Sequence, residues 1–288
     1  MSAPDPASPS SFDSSAPAGS AGSAAPRPLS DQDIASLAAA PDLLVAMDFD
    51  GTLAHFSDDP YGVSAVDGAI DALTELAAAP HTTAMVISGR NMDQLTHATE
   101  LPADGPVLLV GSHGAEPSPA AAGSGASALE LTDEQSQLLH DLGERAESIA
   151  SGLPGAWVEY KPVAVGLHTR TVKDSDAATA AAAELRSFAA GHASSHITEG
   201  KNILEIAVVS TTKGEFIQGY RERVNPNDLT VVFAGDDTTD ETVLSTLDYS
   251  RDLGIRVGGG ATSANRSLEA PEDVRDFLQA LAKARRQR

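Results

Sequence analysis

Short apolar runs recur along the chain, and each gives way abruptly to polar residues. Leu43-Leu44-Val45-Ala46-Met47 leads into Asp48, and Ala84-Met85-Val86-Ile87 leads into Ser88-Gly89-Arg90. Val107-Leu108-Leu109-Val110 gives way to Gly111-Ser112-His113-Gly114, and Thr230-Val231-Val232-Phe233-Ala234 to Gly235-Asp236-Asp237. Continuous runs of this length and composition predict strands covered on both faces of a parallel sheet. Helical spacing lies between them: 66–78 carries Ile70, Leu73, Leu76 and Ala77 on one stripe, and shorter helices are expected over 31–39 and 92–99. Polar groups at the same end of four strands predict one shared rim, outside the carboxyl ends of the sheet.

From Thr132 the pattern changes. Thr132-Asp133-Glu134-Gln135 is a helix-start signature, and the helix is expected to run to about Ser151. Strands follow at 156–160 and 163–170, then an Ala-rich helix over 176–190, then strands near 195–199 and 203–208. Helix-strand-strand, repeated, is a two-layer α+β unit. The earlier pattern resumes with a helix over 213–224, the strand from Thr230, a helix from Asp240, a strand at 254–257 and a terminal helix from Pro271. The expected fold class is α/β, with a Rossmann-like parallel-sheet core over 29–114 and 209–288 and an inserted α+β cap domain over 115–208. Residues 117–128, rich in Pro, Ala, Gly and Ser, read as a loop or linker. Residues 1–28 read as a disordered Ala/Ser/Pro-rich tail. They lack a basic patch followed by an apolar stretch, so no secretory leader is expected and a cytoplasmic location is.

Composition narrows the partners. A formal charge of -22 argues against nucleic acid or an anionic membrane, which need a basic footprint, and no apolar run reaches spanning length. The chain has no cysteine, which excludes disulfides, a thiol nucleophile and thiolate metal sites. Lysine is scarce, and Lys161, Lys201 and Lys213 fall inside polar segments that stand out on other grounds.

Asp48 and Asp50 lie two residues apart just past a strand, so both can face one metal ion or one phosphate. Gly51 turns the chain sharply away and leaves backbone N–H groups around the site. With Asp236, and with Asp237 and Asp240 close behind, the donors are hard oxygens, which suit Mg2+. Ser88, Thr52 and the N–H groups of Gly51 and Gly89 could hold phosphate oxygens, and Lys213-Gly214 opens a helix whose end favours an anion. An aspartate nucleophile forming an aspartyl-phosphate is the covalent route these residues allow, with a second aspartate as acid and base.

These four segments, in this order, resemble the four motifs of the haloacid dehalogenase-like phosphatases. The resemblance implies that Asp48 is the nucleophile and a metal ligand, and Asp50 the acid/base with its backbone carbonyl on the metal. It implies that Ser88 contacts the phosphoryl group, Lys213 neutralises it, Asp236 binds Mg2+, and Asp237 and Asp240 orient Lys213 and the water around the ion.

After the tail the chain resembles the trehalose-6-phosphate phosphatases over nearly its whole length. The matches are His113-Gly114-Ala115-Glu116, Glu159-Tyr160-Lys161 with His168-Thr169-Arg170, Glu199-Gly200-Lys201 with Glu205, and Gly235-Asp236-Asp237-Thr238-Thr239-Asp240-Glu241. The resemblance implies a cap that closes over the core and holds sugar hydroxyls. Substrate contacts are expected from Gly51, Thr52, Gly89, Arg90, His113 and Glu116 on the core, and from Glu159, Lys161, His168, Arg170, Lys201 and Glu205 on the cap. The implied activity is Mg2+-dependent hydrolysis of trehalose 6-phosphate to trehalose, with functional coupling to a trehalose-6-phosphate synthase. Two alternatives stand beside it: a related sugar-phosphate phosphatase or phosphomutase, and a catalytically silent trehalose 6-phosphate sensor.

Overall fold

A computed structural model describes residues 25–57, 62–123, 131–200, 202–225 and 227–287. Most of the expected tail, 1–24, lies outside the described residues. In chain order the elements are β1 (Arg27–Pro28), α1 (Asp31–Ala39), β2 (Asp42–Met47), α2 (Ala69–Ala77), β3 (Thr82–Ile87), α3 (Met92–Thr99) and β4 (Leu108–Gly111). There follow β5 (Glu116–Pro117), α4 (Pro119–Ala122), α5 (Asp133–Ser151), β6 (Trp157–Lys161), β7 (Ala164–His168), α6 (Ser175–Ala189), β8 (His196–Glu199) and β9 (Ile203–Ala207). The chain closes with α7 (Lys213–Val224), β10 (Leu229–Gly235), α8 (Glu241–Leu244), β11 (Leu253–Val257), β12 (Arg266–Leu268) and α9 (Pro271–Arg286).

Among the described residues, eight strands form one sheet in the order β1-β12-β11-β10-β2-β3-β4-β5, parallel except at β5. The pleat of β2 explains why this sheet is covered twice. Leu43, Val45 and Met47 pack with Leu73, Leu76 and Phe277 on one face, while Leu44 and Ala46 pack with Ile217, Phe233 and Leu244 on the other. Strands β6-β7-β9-β8 form a separate antiparallel sheet. Val165, Leu167, Leu204 and Ile206 turn one face of it against Leu142, Ala146, Leu185 and Ala189 of α5 and α6. Its other face carries Trp157, Glu159 and Lys161 from β6 and His168 from β7. The α/β core with an added α+β layer agrees with the fold class expected from sequence.

Three local differences have physical reasons. Arg27–Pro28, placed in the tail by composition, pair with Arg266 and Ser267, and a two-residue strand leaves no periodic signal. Glu116 and Pro117 pair with Gly111 and Val110 at the edge of the large sheet, so they lie with the core rather than with the cap. Part of the expected linker is the short helix α4, started by Pro119, with Ala121 buried; residues 124–130 lie outside the described residues. Among the described residues no helix is long and apolar enough to cross a membrane.

Candidate active site

Adjacent strands bring the candidate residues together because β10, β2, β3 and β4 are parallel neighbours ending at one edge. Asp48 follows β2, Ser88 follows β3, His113 follows β4, and Asp236 follows β10. Lys213 is the first residue of α7, which Thr212 and Glu215 start with a reciprocal capping box. Its Nζ reaches Asp48 Oδ1 at 2.6 Å and Asp240 Oδ1 at 2.7 Å, and it is only 2% exposed. Asp240 is fully engaged by protein, since its Oδ2 accepts the N–H groups of Asp236 and Asp237. It therefore fixes both Lys213 and the loop that carries Asp236. Asp237 does not reach Lys213; its carboxylate accepts from the backbone and hydroxyl of Thr238.

The electrostatics follow from burial and crowding. Burial pushes the Asp48 carboxyl up, with Lys213 pulling the other way. Burial, with the Asp240 charge adding to it, raises Asp236 to about 6. Burial opposes the charge on Lys213, yet Asp48 and Asp240 outweigh it and hold the ammonium charged. Carboxylate oxygens of Asp48, Asp236 and Asp240 lie within 4.8 Å of one another. Three acidic groups against one lysine leave negative charge uncompensated in a partly dry site, and all the donors are hard oxygens. That donor set fits a divalent metal such as Mg2+. Because Asp240 is saturated by Lys213 and two N–H groups, Asp48 and Asp236 are the side chains with oxygens to offer. Gly51 (φ +76°) makes the close approach possible, because a Cβ there would lie 2.3 Å from the Asp236 carboxyl. Thr52, fully buried, donates to Asp236 Oδ1 at 3.4 Å.

Asp50 faces a different partner. Arg90 donates from Nε to Oδ2 at 2.8 Å and from Nη2 to Oδ1 at 2.6 Å. Ser88, 1% exposed, accepts the Arg90 N–H at 3.1 Å and lines the same cleft. Across from it Ser112 and His113 both adopt left-handed backbone, φ +47° and +54°. Such conformations cost roughly 1–2 kcal/mol each in non-glycine residues. They are held by N–H bonds from Ser112 and His113 to the carbonyls of Arg90 and Ser88. The His113 ring packs where a Cβ on Gly89 would be, 2.6 Å away. Burial, and then the charge of Lys213, lower its pKa to about 4, so the imidazole is neutral near pH 7.

The cap supplies the opposite wall. Trp157, Glu159 and Lys161 alternate onto one face of β6, and His168 stands opposite Trp157 on β7. Glu159 accepts from Gln94 Nε2 at 2.8 Å and pairs with His168 Nε2 at 2.9 Å. Burial opposes its charge, but the His168 bond and Lys161 leave its pKa below the usual value. Lys161 pairs with Glu205 and reaches the Gly89 carbonyl at 3.4 Å, so cap and core meet beside Ser88. The cleft between them holds about 320 Å³ and is lined by Asp48, Asp50, Ser88, His113, Glu159, Lys161 and Lys213, among others.

Some expected residues are not brought here. Glu116 is turned into the core, accepting from Ser112 Oγ and the Met92 N–H, and so ties two loops together. Arg170 lies past the end of β7 in a turn and lines a separate hollow with Thr179, Arg186 and Glu199. A strand over 163–170, as expected from sequence, would put Arg170 on the face of His168, but the strand stops at His168. Lys201 lies outside the described residues. Conversely, Phe56, Gln94 and Trp157 line the cleft without having been singled out from sequence. Only Trp157 carried a signal, two residues before Glu159 on the same face.

The family described as Trehalose-phosphatase matches residues 46–275. A trehalose-6-phosphate phosphatase of Escherichia coli is 30% identical over 242 residues, covering 84% of this chain and 87% of that protein. A trehalose-phosphate phosphatase of Mycobacterium avium is 30% identical over 252 residues, covering 83% and 61%. An uncharacterized glycosyl hydrolase of Mycobacterium tuberculosis is 33% identical over 253 residues, 83% of this chain, and the chain spans 18% of its length. The C-terminal domain of a Candida albicans trehalose-6-phosphate phosphatase superposes with a TM-score of 0.70 at 22% identity, covering 90% of this chain and 98% of that one. The C-terminal domain of a Candida albicans trehalose synthase regulatory protein shares the fold, with a TM-score of 0.66 at 15% identity, covering 89% and 100%.

Proposed function

The chain belongs to the trehalose-phosphatase family, and from that premise we propose that it is a Mg2+-dependent phosphatase converting trehalose 6-phosphate to trehalose and phosphate. The observation that carries the proposal is the pairing of Asp48 with Lys213 at 2.6 Å, beside Asp236. A carboxylate fixed by a buried ammonium, next to oxygens suited to a cation, is an arrangement for attack on a phosphoryl group.

Asp48 would attack phosphorus in line, forming an aspartyl-phosphate as the bond to the sugar 6-oxygen breaks. Asp50 would give that oxygen a proton, then take one from the water that hydrolyses the aspartyl-phosphate. Lys213 would neutralise the phosphoryl oxygens, and Ser88 would orient them. Mg2+, held by Asp48, Asp236 and the Asp50 carbonyl, would supply the remaining positive charge at the phosphoryl group. Arg90 keeps the Asp50 carboxylate in one orientation between turnovers. His113, neutral, can donate or accept one hydrogen bond at the floor of the cleft. Glu159, Lys161, His168 and Glu205 would engage sugar hydroxyls from the cap, and closure over the core would exclude bulk water. A phosphorylated sugar supplied by a synthase is the substrate this reading implies.

The test is phosphate release, with and without Mg2+, from trehalose 6-phosphate, sucrose 6-phosphate, glucose 6-phosphate and mannose 6-phosphate. Mg2+-dependent preference for trehalose 6-phosphate is expected. Preference for another member would retain the chemistry and overturn the substrate. Binding of trehalose 6-phosphate without release from any would favour a sensor, which the intact Asp48 and Asp50 argue against.

A further inference from the structure

We propose that Trp157 and Phe56 form an aromatic subsite for a second, unphosphorylated hexose ring, which selects a disaccharide phosphate over a hexose phosphate. The proposal rests on the sugar-phosphatase reading above and concerns residues that reading leaves unused. Both side chains line the cleft, Trp157 from the cap and Phe56 from the loop that follows Asp50, and they are 44% and 72% exposed. A single exposed aromatic is ordinary on a protein surface. Two on separate elements that line one polar cleft leave apolar surface where a ligand would cover it.

The geometry places Trp157 away from the phosphate end. Lys161 touches the Gly89 carbonyl, next to Ser88, whereas Trp157 lies four residues back on the same face of β6. At ~3.3 Å per residue that is roughly 13 Å along the strand, about the reach of a second ring. Trp157 is also already oriented. Its ring stacks on His168 at 3.7 Å between centroids and 5° between planes, and His168 is in turn held by Glu159. A ring fixed before the ligand arrives loses little rotamer freedom on binding. The apolar C–H face of a pyranose suits such a platform, while the hydroxyls at its edge meet Glu159 and His168.

Trp157 is the one tryptophan in the chain, so its emission reports this subsite alone. Titration of the intact protein with unphosphorylated trehalose is expected to shift that emission saturably, and glucose at equal concentration to leave it unchanged. By calorimetry, Trp157→Ala and Phe56→Ala should each weaken trehalose binding at least fivefold, and Trp157→Phe should recover most of the loss. In phosphate release, kcat/KM of Trp157→Ala for trehalose 6-phosphate should fall at least fivefold more than for glucose 6-phosphate. Emission unmoved by trehalose, equal responses to glucose, or an equal fall for both phosphates would overturn the subsite. If trehalose 6-phosphate is hydrolysed while emission stays unmoved, the subsite fails and the phosphatase stands. Saturable emission without hydrolysis of any sugar phosphate would instead sink the phosphatase and keep the subsite.

Discussion

Arg90 grips both carboxylate oxygens of Asp50, at 2.8 and 2.6 Å, and Asp50 stands outside the close Asp48–Asp236–Asp240 cluster. The guanidinium is itself 9% exposed, and its carbon lies 5.2 Å from the centre of the Phe49 ring. A planar fork is needed for this grip, and lysine offers a point charge instead. Arg90→Lys is therefore predicted to lower kcat by about 10–100-fold through misplacement of the acid/base, with Mg2+ affinity within twofold of the parent. Loss of metal binding along with kcat would show that Arg90 acts on the whole rim.

Lys213 balances two buried carboxylates, so its removal should cost stability as well as rate. Lys213→Met is predicted to lower kcat by about 10²–10³-fold, the scale seen when a charge-stabilising donor is lost. It should also lower unfolding stability by about 3 kcal/mol, because Asp48 and Asp240 are left facing each other without a cation. Denaturant unfolding and phosphate release on the same samples check both. A stability unchanged within error would mean that a proton or ion replaces the ammonium without cost.

Much of this site was legible because strands covered on both faces are written as continuous apolar runs. The residue that ends each run marks the rim: Asp48, Ser88 and Asp236 stand where periodicity put them. What escaped depended on contacts between distant segments. Arg285, in the last turn of α9, is 4% exposed and donates to the carbonyls of Ala38, Ala40, Pro80 and His81, a set of contacts that no local pattern encodes. The resemblance carried by His113-Gly114-Ala115-Glu116 makes Glu116 an expected substrate contact, but β5 returns it to the sheet edge. The placement of Arg170 failed on one detail, the strand end, to which alternation is blind.

Asp236 gives the site a pH dependence. Its pKa of about 6 lies above the ordinary 3.8, so between those values the folded protein holds a proton that the unfolded chain releases. Folding stability of the metal-free protein should accordingly fall as pH rises from 4 to 6. Asp236→Asn removes that penalty; allowing for solvent screening, it should stabilise the metal-free protein at pH 7 by about 1 kcal/mol, about 2–4 °C in Tm. The same proton competes with metal. Mg2+ affinity is predicted to be about tenfold weaker at pH 5 than at pH 7, with proton uptake on metal removal. Calorimetry in buffers of different ionisation enthalpy measures that proton, and a pH-independent affinity would remove Asp236 from the ligand set.

Gly51 and Gly68 separate backbone strain from collision at the metal site. Both are left-handed, φ +76° and +85°, so alanine at either should cost about 1–2 kcal/mol. Their neighbours differ. A Cβ on Gly68 meets the end of the Gln279 side chain, which can move, whereas one on Gly51 falls 2.3 Å from the Asp236 carboxyl carbon. Gly68→Ala is predicted to lower Tm with Mg2+ affinity intact. Gly51→Ala should lower Tm further and weaken Mg2+ by at least tenfold, because Asp236 must leave its place beside Asp48. Equal Mg2+ affinity in the two variants would show that Asp236 can relax without disturbing the ion, and would weaken its assignment as a ligand.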